Sequence, residues 1–261
     1  MKDKYGDNIT VTLHPGHIAE VVIDRPPNNH VSVTLMHELA DALEDLDKEP
    51  GCRASVLRTE GKAFCAGADL VARDGDHGIE NETGNPLYDE AVRLYAIEKP
   101  IVIAVQGAAV GAGLGLALVG DFRVAAHEAR FAANFTRLGF HPGFGLTHTL
   151  PRLIGANRAS LMFLTSRRVK PDEALAWGLV DQVVNLGELR DSAFALAREI
   201  AENAPLAVVA TRKTLRGELS RAVREATNRE FVEQAWLRKT EDFAEGVRSV
   251  NERRVGNFQG R

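Results

Sequence analysis

Apolar and polar residues alternate along the first part of the chain and then change to helical spacing. Residues 8–14 (NITVTLH) and 17–24 (HIAEVVID) alternate on either side of a Pro-Gly pair, which predicts an antiparallel β-hairpin. The paired prolines of residues 25–32 (RPPNNHVS) block regular structure, so a turn or loop is predicted there. Ser32 or Thr34 then caps a helix with one apolar face, formed by Leu35, Leu39, Leu43 and Leu46.

Strand-like and helix-like patterns continue to alternate through the middle of the chain. Residues 54–60 (ASVLRTE) predict a short buried strand, followed by the small-residue loop 61–70 (GKAFCAGADL). Residues 71–86 are polar, contain glycine and lack any period, and we expect them to form a mobile lid. A helix to Glu98 follows, and the β-branched run at residues 99–107 (KPIVIAVQG) is typical of a central strand.

The second half of the chain becomes progressively helical. Two short strand patterns, two helical patterns and a helix–glycine–strand pattern lie at residues 121–126, 129–133, 145–155, 156–166 and 171–184. Helical patterns dominate from Leu186 onward, with a break near Pro205. This order predicts an α/β fold with a core over residues 1–195 and a helical C-terminal subdomain over residues 196–261.

The overall composition limits the classes of function. The 261 residues are 44% hydrophobic and 26% charged, as expected for a globular protein. A formal net charge of −4 argues against a nucleic-acid partner, which needs a concentrated basic face. No apolar run approaches the roughly 20 residues needed for membrane insertion, and the first ten residues lack the apolar core of a signal peptide. Cys52 and Cys65 lack metal-ligand spacing, so a reduced cytoplasmic protein without a metal site is expected.

A glycine-rich segment at residues 107–121 (GAAVGAGLGLALVGD) lies between a predicted strand and a predicted helix. A dinucleotide fingerprint starting at Gly111 requires glycine where Leu116 stands, and a Walker loop requires a Gly-Lys-Ser/Thr string that is absent. Two interpretations remain open. The glycines serve close packing of a strand against a helix, or the unpaired N–H groups at the start of the helix face a ligand.

A second loop of the same kind supports the ligand interpretation. Residues 64–70 (FCAGADL) again place small residues at a strand-to-helix turn. Two such backbone sites can form an oxyanion hole, in which two N–H groups hold the oxygen of a substrate carbonyl. The two loops together therefore predict a two-donor site made of backbone groups.

Five segments occur in an order that resembles the crotonase superfamily, the enoyl-CoA hydratase/isomerase group. They are IDRP, KAFCAGADL, KPIVIAVQGAAVGAGLGLALVGDFRVAA, ARFAANFTRLGFHPG and EALAWGLVDQVV. The segment TEDFAEGVRSVNERRVGNFQGR is also similar, and the resemblance covers essentially the whole chain. It implies a crotonase-type spiral of ββα turns with a helical C-terminal trimerisation region, in homotrimers that often pair as hexamers.

The resemblance also implies the ligand, an acyl-CoA thioester, and no cofactor beyond the coenzyme A that is part of this substrate. Carried onto this chain, the oxyanion donors are the backbone N–H groups of Ala68 and Ala112, which would stabilise a thioester enolate. The implied substrate-binding positions are Asn28, His30, Ala66, Asp69, Leu70, Gly111, Phe135 and Leu138. For Asp69, helix N-terminal charge or loop hydrogen bonding is an equal alternative.

The sequence departs from the superfamily at the two positions that carry the hydratase glutamates. Gly115 stands at the first position and Phe135 at the second. Neither side chain can transfer a proton, so hydration by the usual two-carboxylate route is not expected. Phe135 would instead make the acyl pocket apolar.

Other side chains are candidates for the missing acid or base. His141 closely follows the second lost glutamate and an imidazole titrates near neutral pH, although a lone histidine can equally be structural. Asn134 and Arg137 are polar neighbours that could bind a substrate group, although we expect them to face solvent or an adjacent subunit. Cys65 has no adjacent base and is expected to be buried in the pocket wall. The predicted lid adds charged residues that a loop ordinarily exposes to solvent, namely Asp74, Asp76, His77, Glu80 and Glu82.

Three functions remain open from the sequence. The first is an enzyme that stabilises a thioester enolate with a substituted acid or base, for isomerisation, retro-Claisen cleavage or a slow hydration. The second is a non-catalytic acyl-CoA binding or carrier protein, which the loss of both glutamates favours. The third is a structural subunit that partners a catalytic homologue.

Overall fold

Two β-sheets and the helices around them make up the described part of the chain. The structure is a computed structural model that describes residues 2–68 and 85–261. The strands are β1 (Lys4–Tyr5), β2 (Ile9–His14), β3 (Ile18–Ile23), β4 (Ala54–Thr59), β5 (Ile101–Val105), β6 (Ala108–Val110), β7 (Phe122–Ala126), β8 (Arg130–Ala132), β9 (Arg168–Val169) and β10 (Gln182–Val184). The helices are α1 (Val33–Lys48), α2 (Pro86–Ala96), α3 (Ala112–Ala117), α4 (Leu146–Ile154), α5 (Ala156–Thr165), α6 (Pro171–Trp177), α7 (Leu189–Ala201), α8 (Pro205–Arg216), α9 (Leu219–Leu237) and α10 (Glu241–Asn251).

The larger sheet has seven strands in the order β1-β2-β3-β4-β5-β7-β10, and β6, β8 and β9 form the smaller one. Strands β1, β2 and β3 pair antiparallel, whereas β3, β4, β5, β7 and β10 run parallel. Strand β5 is buried along its whole length, as predicted for a central strand. Helices connect the parallel strands, and the predicted α/β class is therefore confirmed.

The pattern of the first fifty residues is confirmed. Strands β2 and β3 form the predicted antiparallel hairpin. Ser32 caps α1, because its side chain accepts a hydrogen bond from the Leu35 N–H at 3.2 Å, and Thr34 lies inside the helix. The four leucines of the predicted apolar face are all buried in the main hydrophobic core.

Helix α7 covers one face of the larger sheet. It packs against strands β3, β4, β5 and β7. The helix and these strands enclose a hydrophobic cluster that includes Val56, Val102, Val124, Leu189, Ala193, Phe194 and Ala197. The predicted domain boundary between residues 195 and 196 falls inside α7. The sheet and α7 thus form one packing unit, and the purely helical part of the chain begins with α8.

Helices α8, α9 and α10 form the C-terminal helical region. Helix α9 packs against α2 and α4, and α10 packs against the 3-10 turn Thr136–Leu138. Side chains of α9 therefore reach elements of the core that are far away in sequence. No helix of the described residues is long and apolar enough to cross a membrane.

The predicted lid lies outside the described residues, apart from its last two positions. The side chain of Asn85 accepts a hydrogen bond from the Leu87 N–H at 3.0 Å and caps α2. Pro86 is the first residue of that helix, where its missing N–H leaves no hydrogen bond unmade.

Candidate active site

The two small-residue loops lie side by side. The Cys65 N–H donates to Ala108 O at 2.9 Å, and the Val110 N–H donates to Cys65 O at 3.0 Å. A Cβ atom on Gly67 would lie 2.9 Å from Val110 O, and one on Gly113 would lie 2.1 Å from Cys65 O. Larger residues at these positions would push the loops apart. Close packing is therefore the structural role of both glycines.

Ala68 and Ala112 line the same cavity. Helix α3 begins at Ala112, and its first hydrogen bonds are donated by Leu114 and Gly115 to Gly111 O at 3.0 and 3.2 Å. Within the described part of the chain, neither the Ala68 N–H nor the Ala112 N–H donates to a backbone carbonyl. The cavity is thus lined by two residues whose N–H groups are not used by a described backbone acceptor.

This cavity encloses about 90 Å³ and combines residues from distant parts of the chain. Six of the predicted oxyanion and substrate positions line it, namely Ala66, Ala68, Gly111, Ala112, Phe135 and Leu138. Polar side chains among the described lining residues are those of Asn85, Tyr88, Asn134, Gln234 and Arg238. The structure therefore brings most of the predicted site together and adds polar groups to it.

Asn28 and His30 are not among the residues that line the cavity, but they contact the described part of the loop 64–70. The Ala66 N–H donates to Asn28 O at 3.1 Å, and His30 Nδ1 lies 3.1 Å from Gly67 O. These contacts help to fix the position of the loop. The predicted positions 69 and 70 lie outside the described residues.

His141 is not brought to the cavity of the two loops. Its ring borders a separate cavity of about 660 Å³, and its Nδ1 lies 2.8 Å from the carbonyl oxygen of the next residue. The reason is local, because Gly139 ends the preceding 3-10 turn with a φ of 67° and redirects the chain. Asn134 lines the first cavity, contrary to the expectation that it faces solvent or a neighbour, whereas Arg137 is exposed.

An aromatic ring occupies the space beside Gly115. A Cβ atom on Gly115 would lie 2.6 Å from Cδ1 of Phe144, whose side chain is fully buried and lines the cavity. Phe144 has a φ of 63°, a left-handed conformation that non-glycine residues rarely adopt. Phe135, at the other position of interest, is also buried and lines the cavity. Aromatic rings therefore stand at or next to both positions where the sequence lacks a carboxylate.

A hydrogen-bonded pair that the sequence patterns did not reveal lies in the cavity. The Tyr88 hydroxyl donates to Gln234 Oε1 at 2.6 Å, across 146 residues of sequence. Gln234 Nε2 donates to the carbonyl oxygens of His141 and Pro142 at 2.9 and 3.2 Å. Tyr88 lies on the buried face of α2, where helical spacing alone assigns it to the core.

Helix α9 carries a buried polar stripe that could have pointed to the site. Thr227, Glu230 and Gln234 recur at helical spacing and are all buried. The Glu230 carboxylate accepts hydrogen bonds from Gly145 N–H at 2.8 Å, Thr147 N–H at 2.9 Å and the Thr147 hydroxyl at 2.7 Å. Burial raises the pKa of Glu230, and the hydrogen bonds from Thr147 act in the opposite direction. Glu230 is therefore a buried cap for the start of α4.

Arg238 is the cationic group among the described lining residues. Its guanidinium carbon lies 5.0 Å from the ring centroid of Phe140 and 5.9 Å from that of Phe243. These two rings pack against each other with centroids 5.0 Å apart. Cation–π attraction therefore helps to hold Arg238 at the cavity.

Cys65 is a free, fully buried thiol; its burial agrees with the prediction, but it is not among the residues that line the cavity. Burial raises the pKa of Cys65 to about 12, while backbone groups at Gly67 and Val31 lower it to a smaller extent. A thiol with such a pKa is protonated at neutral pH and does not act as a nucleophile.

Comparisons with known protein sequences and structures show what this chain is similar to. The sequence profile described as enoyl-CoA hydratase/isomerase matches residues 14–261. A Thermus thermophilus protein provisionally named an enoyl-CoA hydratase is 36% identical over 253 residues, which cover 95% of this chain and 100% of that protein. The crystal structure of an enoyl-CoA hydratase/isomerase from Pseudoalteromonas atlantica T6c is 30% identical with a TM-score of 0.86, covering 97% of this chain and 100% of that one. A carnitinyl-CoA dehydratase from Mycobacterium avium 104 is 32% identical with a TM-score of 0.84, covering 97% and 99%. The fold predicted from the five segments is confirmed over nearly the whole chain.

Proposed function

The chain belongs to the enoyl-CoA hydratase/isomerase family, and on this premise we propose that it binds an acyl-CoA thioester and stabilises the enolate of that thioester. The observation that carries the proposal is that Ala68 and Ala112, whose N–H groups donate to no described backbone carbonyl, line one cavity. In the proposed complex both N–H groups donate to the thioester oxygen. The names of the relatives, which include a carnitinyl-CoA dehydratase, support a coenzyme A thioester as the substrate class.

The proposed chemistry follows from where charge develops. When a thioester becomes an enolate, negative charge moves onto its oxygen, and a donor aimed at that oxygen contributes about 3 kcal/mol to the step. The two amides are held by the backbone pairing of Cys65 with Ala108 and Val110, so they need little reorganisation during the reaction. The stabilisation therefore comes from rigid backbone groups and is independent of side-chain identity.

The residues at the glutamate positions support a reaction other than two-carboxylate hydration. Gly115 and Phe135 carry no proton-transfer group, and the Phe144 ring lies where a side chain at position 115 would extend. An activated water would find apolar walls on this side of the cavity. We therefore propose an enolate reaction of the isomerisation or retro-Claisen type, with hydration as at most a slow side reaction.

The proposal includes the ligand's path and the assembly. The loop 64–70 and the segment with Asn28 and His30 hydrogen-bond to each other through Ala66 and Gly67. Both would line the path of the coenzyme A portion. Coenzyme A enters as part of the substrate, and no separate cofactor is proposed. The same resemblance supports a homotrimer or a hexamer of two trimers in the cytoplasm.

Calorimetry with butyryl-CoA and hexanoyl-CoA, followed by α-proton exchange in D2O, tests the proposed function. We expect both thioesters to bind and their α-protons to exchange faster with protein than in buffer. Crotonyl-CoA added to the protein should lose its enoyl absorbance only slowly. Rapid loss of that absorbance would contradict the interpretation of Gly115 and Phe135, and a lack of binding would contradict the substrate class.

A second candidate function is non-catalytic binding or carriage of acyl-CoA. The specific observation that favours it is the loss of both glutamates, because ground-state binding of a thioester also uses the two amides. This candidate predicts tight binding of several acyl-CoA thioesters without exchange of their α-protons. The exchange measurement therefore separates the two functions.

A further inference from the structure

The cavity contains a hydroxyl that neither glutamate position provides. Of the described residues that line it, Tyr88 alone carries an O–H group, and none has a carboxyl, imidazole, thiol or amino group. The remaining polar groups are the amides of Asn85, Asn134 and Gln234 and the guanidinium of Arg238, which do not exchange protons readily with carbon. Among the described lining residues, the Tyr88 hydroxyl is thus the group that can supply a proton to an enolate held in this cavity.

The hydroxyl of Tyr88 is oriented by Gln234. Because both N–H groups of the Gln234 amide are directed to the His141 and Pro142 carbonyls, its oxygen must face Tyr88. Gln234 is 1% exposed, so solvent does not compete for these bonds. An acceptor in this position fixes the hydroxyl oxygen in place.

The surrounding chain is shaped to fit this pair. A Cβ atom on Gly143 would lie 2.0 Å from the Tyr88 oxygen and 2.7 Å from Gln234 Nε2. Any side chain at position 143 would therefore displace the hydroxyl, the amide or both. The absence of a side chain there leaves the pair at the cavity, between α2 and α9.

We propose that Tyr88 is the proton-transfer group of the cavity and that Gln234 is the residue that positions it, an inference that rests on the proposed enolate function. In the protonating step the enolate electron pair forms a C–H bond at the α-carbon while the Tyr88 O–H bond breaks. The oxygen held by the Ala68 and Ala112 amides returns to a thioester carbonyl, and the phenolate takes a proton from water. The reverse sequence removes an α-proton, so exchange in D2O reports on the same group.

The test compares α-proton exchange of bound butyryl-CoA in the natural protein, Tyr88→Phe, Gln234→Met and Tyr5→Phe. We expect Tyr88→Phe to lower the exchange rate by at least about 100-fold with unchanged binding by calorimetry. Gln234→Met should lower the rate by about 10- to 100-fold, again without a change in affinity, because the hydroxyl loses its orientation. Tyr5 lies on β1 and hydrogen-bonds Asp45, so Tyr5→Phe is a matched control that should exchange at the natural rate.

The outcomes separate this inference from the function on which it rests. Exchange by Tyr88→Phe at the natural rate overturns the role of Tyr88 and leaves the enolate function intact. Loss of binding together with exchange in Tyr88→Phe also overturns it, because the residue would then serve binding or folding. If the natural protein binds butyryl-CoA without exchanging its α-protons, both the enolate function and the role of Tyr88 fail.

Discussion

At the scale of single residues, an aromatic ring packs against Gly115, a position that has no carboxylate. The ring of Phe144 lies within 2.6 Å of the point where a Cβ atom on Gly115 would stand. Phe144 also keeps a left-handed backbone conformation, which costs a non-glycine residue of order 1–3 kcal/mol and requires support from its surroundings. Gly115 and Phe144 therefore act as one packing unit, and neither can be exchanged alone without strain.

Gly115→Ala is expected to lower the free energy of unfolding by about 1–3 kcal/mol, because the added methyl overlaps a buried ring. Gly187→Ala is the matched control, since no atom lies within 4 Å of a Cβ there, and it should change stability by less than about 0.5 kcal/mol. Urea unfolding of both variants measures the difference. Equal effects at the two positions would contradict the packing of Phe144 against Gly115.

Glu230 gives a second prediction at this scale. Glu230→Ala removes the acceptor of the Gly145 and Thr147 amides inside the protein and should cost about 2–4 kcal/mol of unfolding free energy. Glu230→Gln keeps one acceptor oxygen and should cost less. Thermal or urea unfolding of the two variants checks this order, and a harmless Glu230→Ala would show that the buried carboxylate does not stabilise the start of α4.

At the scale of elements, the carboxylate of Glu20 connects α7 with strands β2, β3 and β4 of the larger sheet. Glu20 on β3 accepts hydrogen bonds from Arg58 Nε on β4 at 2.6 Å and from Arg190 Nε on α7 at 2.8 Å. His14 Nε2 on β2 lies 2.9 Å from the same carboxylate. This cluster ties the helix that covers the sheet to the sheet's antiparallel end.

The Glu20 cluster predicts a specific acid sensitivity. Burial raises the pKa of Glu20, but hydrogen bonds from Arg190 and Arg58 outweigh it and lower the pKa from 4.5 to about 2. The carboxylate therefore stabilises the fold fully above pH 4.5, and this stabilisation, about 1–3 kcal/mol, is lost as the pH falls from 4.5 towards 2.

Urea unfolding of the natural protein and of Glu20→Gln between pH 7 and pH 2 measures this effect. Glu20→Gln should be less stable at neutral pH, and the gap between the two proteins should narrow as the pH falls through about 4.5. A gap that stays constant down to pH 2 would show that the cluster does not contribute through the charge of Glu20.

At the scale of the whole molecule, the C-terminal helices have two different roles. Helix α9 supplies Gln234 to the cavity, and Arg238 directly after the helix also lines it, so the candidate site is complete only when this region docks on the core. Helix α8 buries little beyond Arg212, and its Leu206 and Leu215 are 86% and 72% exposed. Apolar side chains exposed to this extent are typical of a surface that another subunit covers.

We expect the protein to assemble as a trimer or hexamer through a surface that includes α8. Leu206→Asp should shift the mass measured by light scattering towards the monomer, because it places a charge in the expected interface. Leu186→Asp, at a half-exposed leucine of the 3-10 turn Leu186–Glu188, is the control and should keep the natural mass. A monomeric natural protein would contradict the expected assembly, and an unchanged mass in Leu206→Asp would exclude α8 from the interface.

The sequence by itself determined the properties that depend on neighbouring residues. Alternation in β2 and β3, leucine spacing in α1 and the β-branched run of β5 specified those elements, because backbone periodicity is a local property. The two small-residue loops were also visible, since close backbone approach requires glycine and alanine at particular points. The order of the five segments along the chain was enough to indicate the family. The resemblance to that family then suggested the thioester substrate class.

Only the tertiary structure decided which side chains meet. His141 closely follows Phe135 in sequence, but the turn at Gly139 directs it to another cavity. Tyr88 and Gln234 are 146 residues apart, and they meet because α2 packs against α9. Contacts of this kind arise from the packing of whole elements, and the spacing of residues along one helix does not show which residue of another helix they meet. Phe144 packs against Gly115 for the same reason, so the sequence showed that position 115 has no carboxylate but did not show which ring lies beside it.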